Sequence, residues 1–390
     1  MIIYNQTGLA NLQIQQQAEK AHDAHLITKP ELNSIKEKYL TGFYTPNLVV
    51  RVGFFILTLI GSLFTGLLLS LMFEATHIID HPVWPLLLGL ATYVVLELLV
   101  KQKHLFKAGI DDALIWQTAA LLVGSFAWAV TDKNNEYLFI SGFVLLLSLY
   151  FTIRFADTLM SVLACLSFLA FTFFSWSKAG TIGQATMPFL IMLFSFLLFY
   201  SAKRAEKDAR TIHYHTCLAC VQLISLLTLY AAGNYFVVSM LSNQLHNSPL
   251  DDNAPLPFSW FFWLWTMLIP FIYVWLGIKN KNLMLLRIGL LLVMLAAFTF
   301  RLIFHLLPTE YALALSGALL LLITVSIIRY LKTPKSGFTY TQRNSKHWAN
   351  NLNLESLIVA QAAHTPAMPT PDTDRFGGGS FGGGGSSSDF

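Results

Sequence analysis

Charged side chains in this chain stand where charge is costly. Arg51, Glu97, Asp111, Asp112, Asp157 and Arg287 all fall at or just inside the ends of long apolar runs. A charge at the centre of a bilayer costs about 2.5–3.5 kcal/mol on insertion scales. Arg51 lies about four residues, roughly 6 Å, inside its run, and Glu97 lies at a comparable depth in the next. One chemistry open to such a layer is a polar cluster closing one side of a transport path. The other is snorkelling plus structural ion pairs near the headgroups, which the shallow depth favours. Arg51 and Glu97, on consecutive runs, are expected to pair. Toward the opposite face, Arg301 and His305 are spaced i, i+4. They would form a substrate-facing basic site, or pair structurally with Glu74, Asp80 or Glu310.

Metal or redox chemistry has one candidate stretch, HYHTCLAC, in which His213, His215, Cys217 and Cys220 offer four soft ligands within eight residues. Two imidazoles two residues apart on a helix point to different sides, so small buried residues are the competing reading. His77 and His81 in HIIDHP would share a metal only on a helix, and the following Pro82 argues against one. None of these sets calls for a cofactor. The signatures GxxxxGK[ST] and HExxH do not occur, and GxGxxG and GxSxG spacings arise only in the glycine-rich tail, with no strand-and-helix context around them. No basic patch interleaved with aromatics offers itself to nucleic acid.

The elements that carry these residues follow from composition. The 390 residues are 55% hydrophobic and only 12% charged, with mean hydropathy +0.57. A soluble domain needs about 25% charge to wet its surface. Ten apolar runs are long enough to cross about 30 Å of hydrocarbon: 47–73, 83–100, 109–130, 137–153, 158–176, 184–201, 216–240, 258–278, 283–306 and 310–331. They are continuously apolar rather than alternating, so helices rather than barrel strands satisfy their backbone groups. The expected fold is an all-α polytopic transmembrane helix bundle in a lipid bilayer.

Loop charge sets the orientation. With the first segment cytoplasmic, twenty Lys and Arg residues fall inside and two, Lys133 and Lys178, outside. Trp84, Trp128, Trp176, Trp260 and Trp263 then lie near outer helix ends, where indole rings favour the headgroup layer. Both termini are therefore expected in the cytoplasm. No apolar h-region opens the chain, so the first span itself would target the membrane.

Residues 1–46 read as a cytoplasmic helical unit: a helix over 9–24, a break at His25–Ile27, then Thr28 as N-cap with Pro30 and Glu31 in the first turn of ELNSIKEKYL. Leu26, Ile27, Leu32, Ile35 and Leu40 would supply an apolar stripe, and a unit this small must dock on something. The bundle occupies 47–331. A juxtamembrane segment, 332–364, contains a short amphipathic helix at 353–363. The Gly/Ser-rich tail, 365–390, cannot bury enough apolar area to order.

The break LITKPELNSIKEKY ahead of many helices, the late segments LRIGLLLVMLAAFTFRLIFHL and LALSGALLLLITVSIIRYL, and the glycine tail resemble a family of predicted bacterial polytopic inner-membrane proteins of unknown function. The resemblance implies a bacterial inner-membrane location and carries over no catalytic residue.

The function expected is that of a non-enzymatic accessory or scaffold, with a protein partner reached through the N-terminal unit or the C-terminal segment. A small-molecule or ion transporter is the alternative, and an intramembrane metal or redox enzyme, resting on HYHTCLAC alone, comes third. A ten-helix chain permits a five-plus-five inverted repeat; Gly61 and Gly66 interrupt its first run, but the sixth has Pro188 near its outer end and an unbroken apolar core after it, so no matching break marks a repeat.

Overall fold

Asn47 begins the first membrane helix by accepting the Val50 amide on its side chain, 3.1 Å away, which satisfies one of the orphan donors of the first turn. Asp157 starts a later helix in the same way, accepting from Met160 at 2.7 Å. Between such caps, continuously apolar sequence forms helix after helix. The computed structural model describes residues 2–24, 26–131, 133–245, 258–280, 282–304 and 309–330. The juxtamembrane segment and the glycine tail lie outside the described residues.

Two short helices come first, α1 (Gln6–Asp23) and α2 (Lys29–Lys38). The membrane-length helices follow: α3 (Leu48–Met72), α4 (Val83–Lys103), α5 (Ile110–Val130), α6 (Glu136–Phe155), α7 (Thr158–Trp176), α8 (Gly180–Ala205) and α9 (His215–Gly233). An 11-residue helix, α10 (Tyr235–Leu245), precedes α11 (Ser259–Lys279), α12 (Leu283–Phe304) and α13 (Thr309–Tyr330). Nine of these helices among the described residues are long and apolar enough to cross a membrane, and α13 occupies the tenth apolar run. There is no strand among the described residues; a single bridge joins Tyr44 to Leu105. The fold is an all-α polytopic bundle, as its apolar runs require.

The N-terminal unit marks one end of the bundle, here called proximal. Hairpins α4–α5, α6–α7, α8–α9 and α11–α12 are the closest pairs, and α9 also packs on α7. Small and polar residues bring α4 and α5 together. A Cβ on Gly89 would meet Leu122 at 3.0 Å, Thr118 bonds Thr92 at 3.1 Å, and Ser125 donates to the Pro82 carbonyl at 2.6 Å. One buried apolar cluster (Leu96, Val100, Ile115, Phe151, Met160) runs from α4 to α7 and takes in Tyr4 and Leu9 of the N-terminal unit. A second (Leu226, Tyr230, Tyr273, Leu285, Leu292) joins α9, α11 and α12. Helix α3 packs on α5, yet none of its residues is buried.

Two features differ from expectation. The run 216–240 is not one helix but α9 and α10, broken at Asn234. The predicted stripe of the N-terminal unit is split: Leu32 is buried and Ile27 and Ile35 half-buried, but Leu26 and Leu40 are 77% and 74% exposed, while Tyr4 and Leu9, outside the stripe, are buried. Leu26 and Leu40 flank the helix ends, so helical periodicity does not bind them to the face of Leu32.

Candidate functional site

The expected unit forms as its local signals dictate. Glu31 accepts from the Thr28 amide at 2.7 Å and from its hydroxyl at 2.8 Å, closing the start of α2. Those bonds hold the Glu31 carboxyl below its ordinary range. Gln15 of α1 reaches across to the end of α2, donating to the Tyr39 carbonyl at 2.7 Å, and Asn11 donates to Leu40 at 2.8 Å. The unit is fastened to the bundle by the residues before α1. The Ile3 amide donates to the Arg154 carbonyl at 3.0 Å. The Tyr4 ring is 4.8 Å from Phe106 and 6.1 Å from Phe43, edge-on to both. Burial, with Asp111 and Asp112 nearby, pushes the Tyr4 phenol well above its usual range. The amide of Tyr44 donates to His104 at 3.3 Å, tying the exit of the unit to the α4–α5 loop.

Beneath this dock lies the polar layer. Arg51, one turn into α3, donates through Nε and Nη2 to Asp112 Oδ2 at 2.9 and 2.6 Å. The contact depends on Gly109, whose φ of +95° and missing side chain let the Arg51 carbonyl come close; a Cβ there would stand 2.1 Å from that oxygen. Asp111, beside Asp112, turns to the loop instead and accepts from the Lys107 and Ala108 amides at 2.7 and 2.9 Å. Asp157 caps α7, and burial raises its carboxyl above the ordinary range. Glu97 pairs with Arg154 of α6 and, at 3.7 Å, with Lys101.

The expected Arg51–Glu97 pair is therefore not made. Helix α3 packs on α5 rather than along α4, and Trp84 at the start of α4 donates to Ser70 of α3 at 2.8 Å. Glu97 faces α6. Arg287 is exposed on α12, whose closest partner is α11. Arg301 is half-buried on α12, and His305 lies outside the described residues.

The HYHTCLAC ligands separate. Cys217 points its thiol at the Ala156 carbonyl, 3.3 Å away, while His215 meets Glu206 at 3.1 Å and Gln222 donates to the same carboxylate at 2.8 Å. Cys220 is half-buried. Among the described residues no three His, Cys, Asp or Glu groups gather as metal ligands would. His77 takes Asp80 at 3.4 Å on the exposed surface.

Sequence reasoning missed a second polar site, at the break between α9 and α10. Asn234 is 3% exposed. Its amide nitrogen lies 3.2 Å from both the Tyr230 hydroxyl and Thr299 Oγ1, and its oxygen accepts from Phe236 at 3.0 Å, capping α10. Tyr235 donates to Thr266 Oγ1 at 2.9 Å. Gly233 permits the break to seat against Trp265, for a Cβ there would fall 2.3 Å from the indole. The signal available was the Gly-Asn dipeptide inside an apolar run.

Comparison of the chain with protein-family models, curated proteins and solved structures gave no match.

Proposed function

We propose that the chain is a non-enzymatic accessory or scaffold protein of a bacterial inner membrane, related to the family its N-terminal unit resembles, with that unit held in the cytoplasm to meet a protein partner. One observation carries the reading. The two-helix unit is seated on the bundle by Tyr4, by the Ile3–Arg154 backbone bond and by Tyr44, while its α2 surface stays open. The charges beneath it serve as pairs and caps: Arg51 with Asp112, Glu97 with Arg154, Asp111 on the loop and Asp157 on α7. That is how a platform is built. The orientation rests on the twenty-to-two division of loop cations.

The test has two parts. Reporter fusions after Lys207 and Lys335 should read as cytoplasmic, and fusions after Asp132 and Asn247 as external. A photo-crosslinker at exposed Gln16 or Glu37 should then give a discrete adduct in native membranes that disappears when Tyr4→Ala undocks the unit. Reversed fusions, or adducts indifferent to Tyr4, would count against the proposal.

The break at Asn234 favours transport as the second reading, because interrupted helices with buried polar groups often line substrate paths. In a cysteine-free background, Thr299→Cys would react with a membrane-impermeant thiol reagent if a solvated path reaches it. It would stay protected in a scaffold.

A further inference from the structure

Helices α4 and α6 run in the same direction on either side of α5, each packed on it, and meet each other through side chains rather than by close helix packing. Their facing residues form two ladders with helical i, i+4 spacing: Tyr93, Glu97 and Lys101 on α4, and Leu146, Tyr150 and Arg154 on α6. Two rungs join them, the Tyr93–Tyr150 hydroxyl pair and the Glu97–Arg154 ion pair, and both link residues 57 apart in sequence. The cleft opens sideways: Tyr150 is 47% and Leu146 70% exposed, and the Lys101 side chain is 58% exposed.

We infer that this lateral cleft binds one anionic glycerophospholipid from the leaflet on the side of the N-terminal unit. The inference holds for either orientation and does not rest on the scaffold reading. The order of groups with depth carries it. Lys101 and Arg154 stand in the last turns of their helices, at headgroup level. The tyrosine rung lies one helical turn, about 6 Å, further in than Arg154 and than Glu97, to which the Lys101 ammonium reaches back at 3.7 Å, and so stands where ester carbonyls sit. Leu146 follows one turn deeper still, bordering the hydrocarbon. A phospholipid presents phosphate, ester carbonyl and acyl chain in that order.

Hydrogen-bond chemistry agrees. The two tyrosine hydroxyls carry two protons, and their mutual bond uses one. The second needs an acceptor, and at this depth an ester carbonyl supplies it. Glu97 neutralises Arg154, so the second cation, Lys101, leaves the cleft mouth net positive and selects an anionic headgroup.

The test uses the full chain purified in neutral detergent, titrated with phosphatidylglycerol, phosphatidylcholine or inorganic phosphate while its melting temperature is followed. Phosphatidylglycerol should raise the melting temperature more than phosphatidylcholine, and inorganic phosphate should not. Lys101→Gln and Tyr150→Phe should each weaken the apparent phosphatidylglycerol affinity by roughly five- to tenfold. Leu146→Trp touches neither rung and fills the acyl end of the cleft; it should abolish the response even if a rung variant fails to fold. Three results would each overturn the inference: a phosphatidylglycerol response unchanged in Leu146→Trp and the folded rung variants, equal shifts from the two lipids, or a shift reproduced by inorganic phosphate, which would mean a soluble-anion site.

Discussion

Gly109→Ala probes the joint by which α3 is held. Helix α3 buries no residue of its own and rests on α5, so few contacts keep it in place. Two effects make the substitution costly. Gly109 has φ +95° and ψ −39°, a region L-residues rarely occupy, which costs about 1–3 kcal/mol. The added methyl would also lie 2.1 Å from the Arg51 carbonyl oxygen and 3.1 Å from the Phe55 amide, both backbone atoms that no rotamer change can move. Overpacking of this kind costs about 1–3 kcal/mol. A retreat of α3 relieves part of both, so the expected loss is about 2–4 kcal/mol, roughly 4–10 °C in melting temperature. Gly124→Ala inside α5 is the control, because a Cβ there meets nothing within 4 Å. That change should be neutral or gain up to about 1 kcal/mol from helix propensity. The assay is thermal melting of the detergent-solubilised chain. If Gly109→Ala melts with the parent protein, α3 does not lie on the α4–α5 loop as described and the joint is wrong.

Two further outcomes follow from the same end of the bundle. A double-mutant cycle with Arg51→Ala and Asp112→Ala should show coupling of about 1 kcal/mol, modest because the Arg51 side chain is 37% exposed. A cycle between Arg51 and Glu97 should be additive, and coupling there would contradict the observed pairing. Tyr4 predicts an alkaline limit for the dock. Its raised phenol pKa means that the folded chain keeps a proton which the unfolded chain releases near pH 10, so this stabilisation is complete below that pH and falls as pH rises past it. Limited proteolysis of the 39–46 linker should quicken above about pH 10 in the parent chain, and Tyr4→Phe should remove that Tyr-dependent component. Equal pH profiles for the two proteins would show that Tyr4 is not the titrating group.

How legible each feature was depends on how far its cause reaches along the chain. Thr28 and Glu31 act within one turn, so the start of α2 could be read directly. The membrane spans could be read because lipid demands long apolar stretches whatever the neighbours do. The break at Asn234 could not, because a broken apolar run has the same composition as a whole one; only Gly233 and Asn234 distinguish it. Tyr4 escaped because Ile2, Ile3 and Tyr4 form an apolar triplet too short for any span, set in a polar segment.

The missed pairings have a common geometric cause. Arg51 meets Asp112 across α3 and α5, and Glu97 meets Arg154 across α4 and α6. In each case the partners lie on helices two apart in the chain, which run in the same direction. The depth of the charges was therefore readable from distance to a helix end, and Arg51 and Asp112 do share one end. Their partners were not, because consecutive helices are antiparallel and draw attention to hairpin neighbours. Same-direction neighbours leave a different mark: residues at equal depth repeat at a constant offset, as both α4–α6 rungs do at 57 residues. Matching i, i+4 polar ladders at such an offset is a pattern a sequence can carry. It becomes readable only once the helix between them is known to separate two parallel walls.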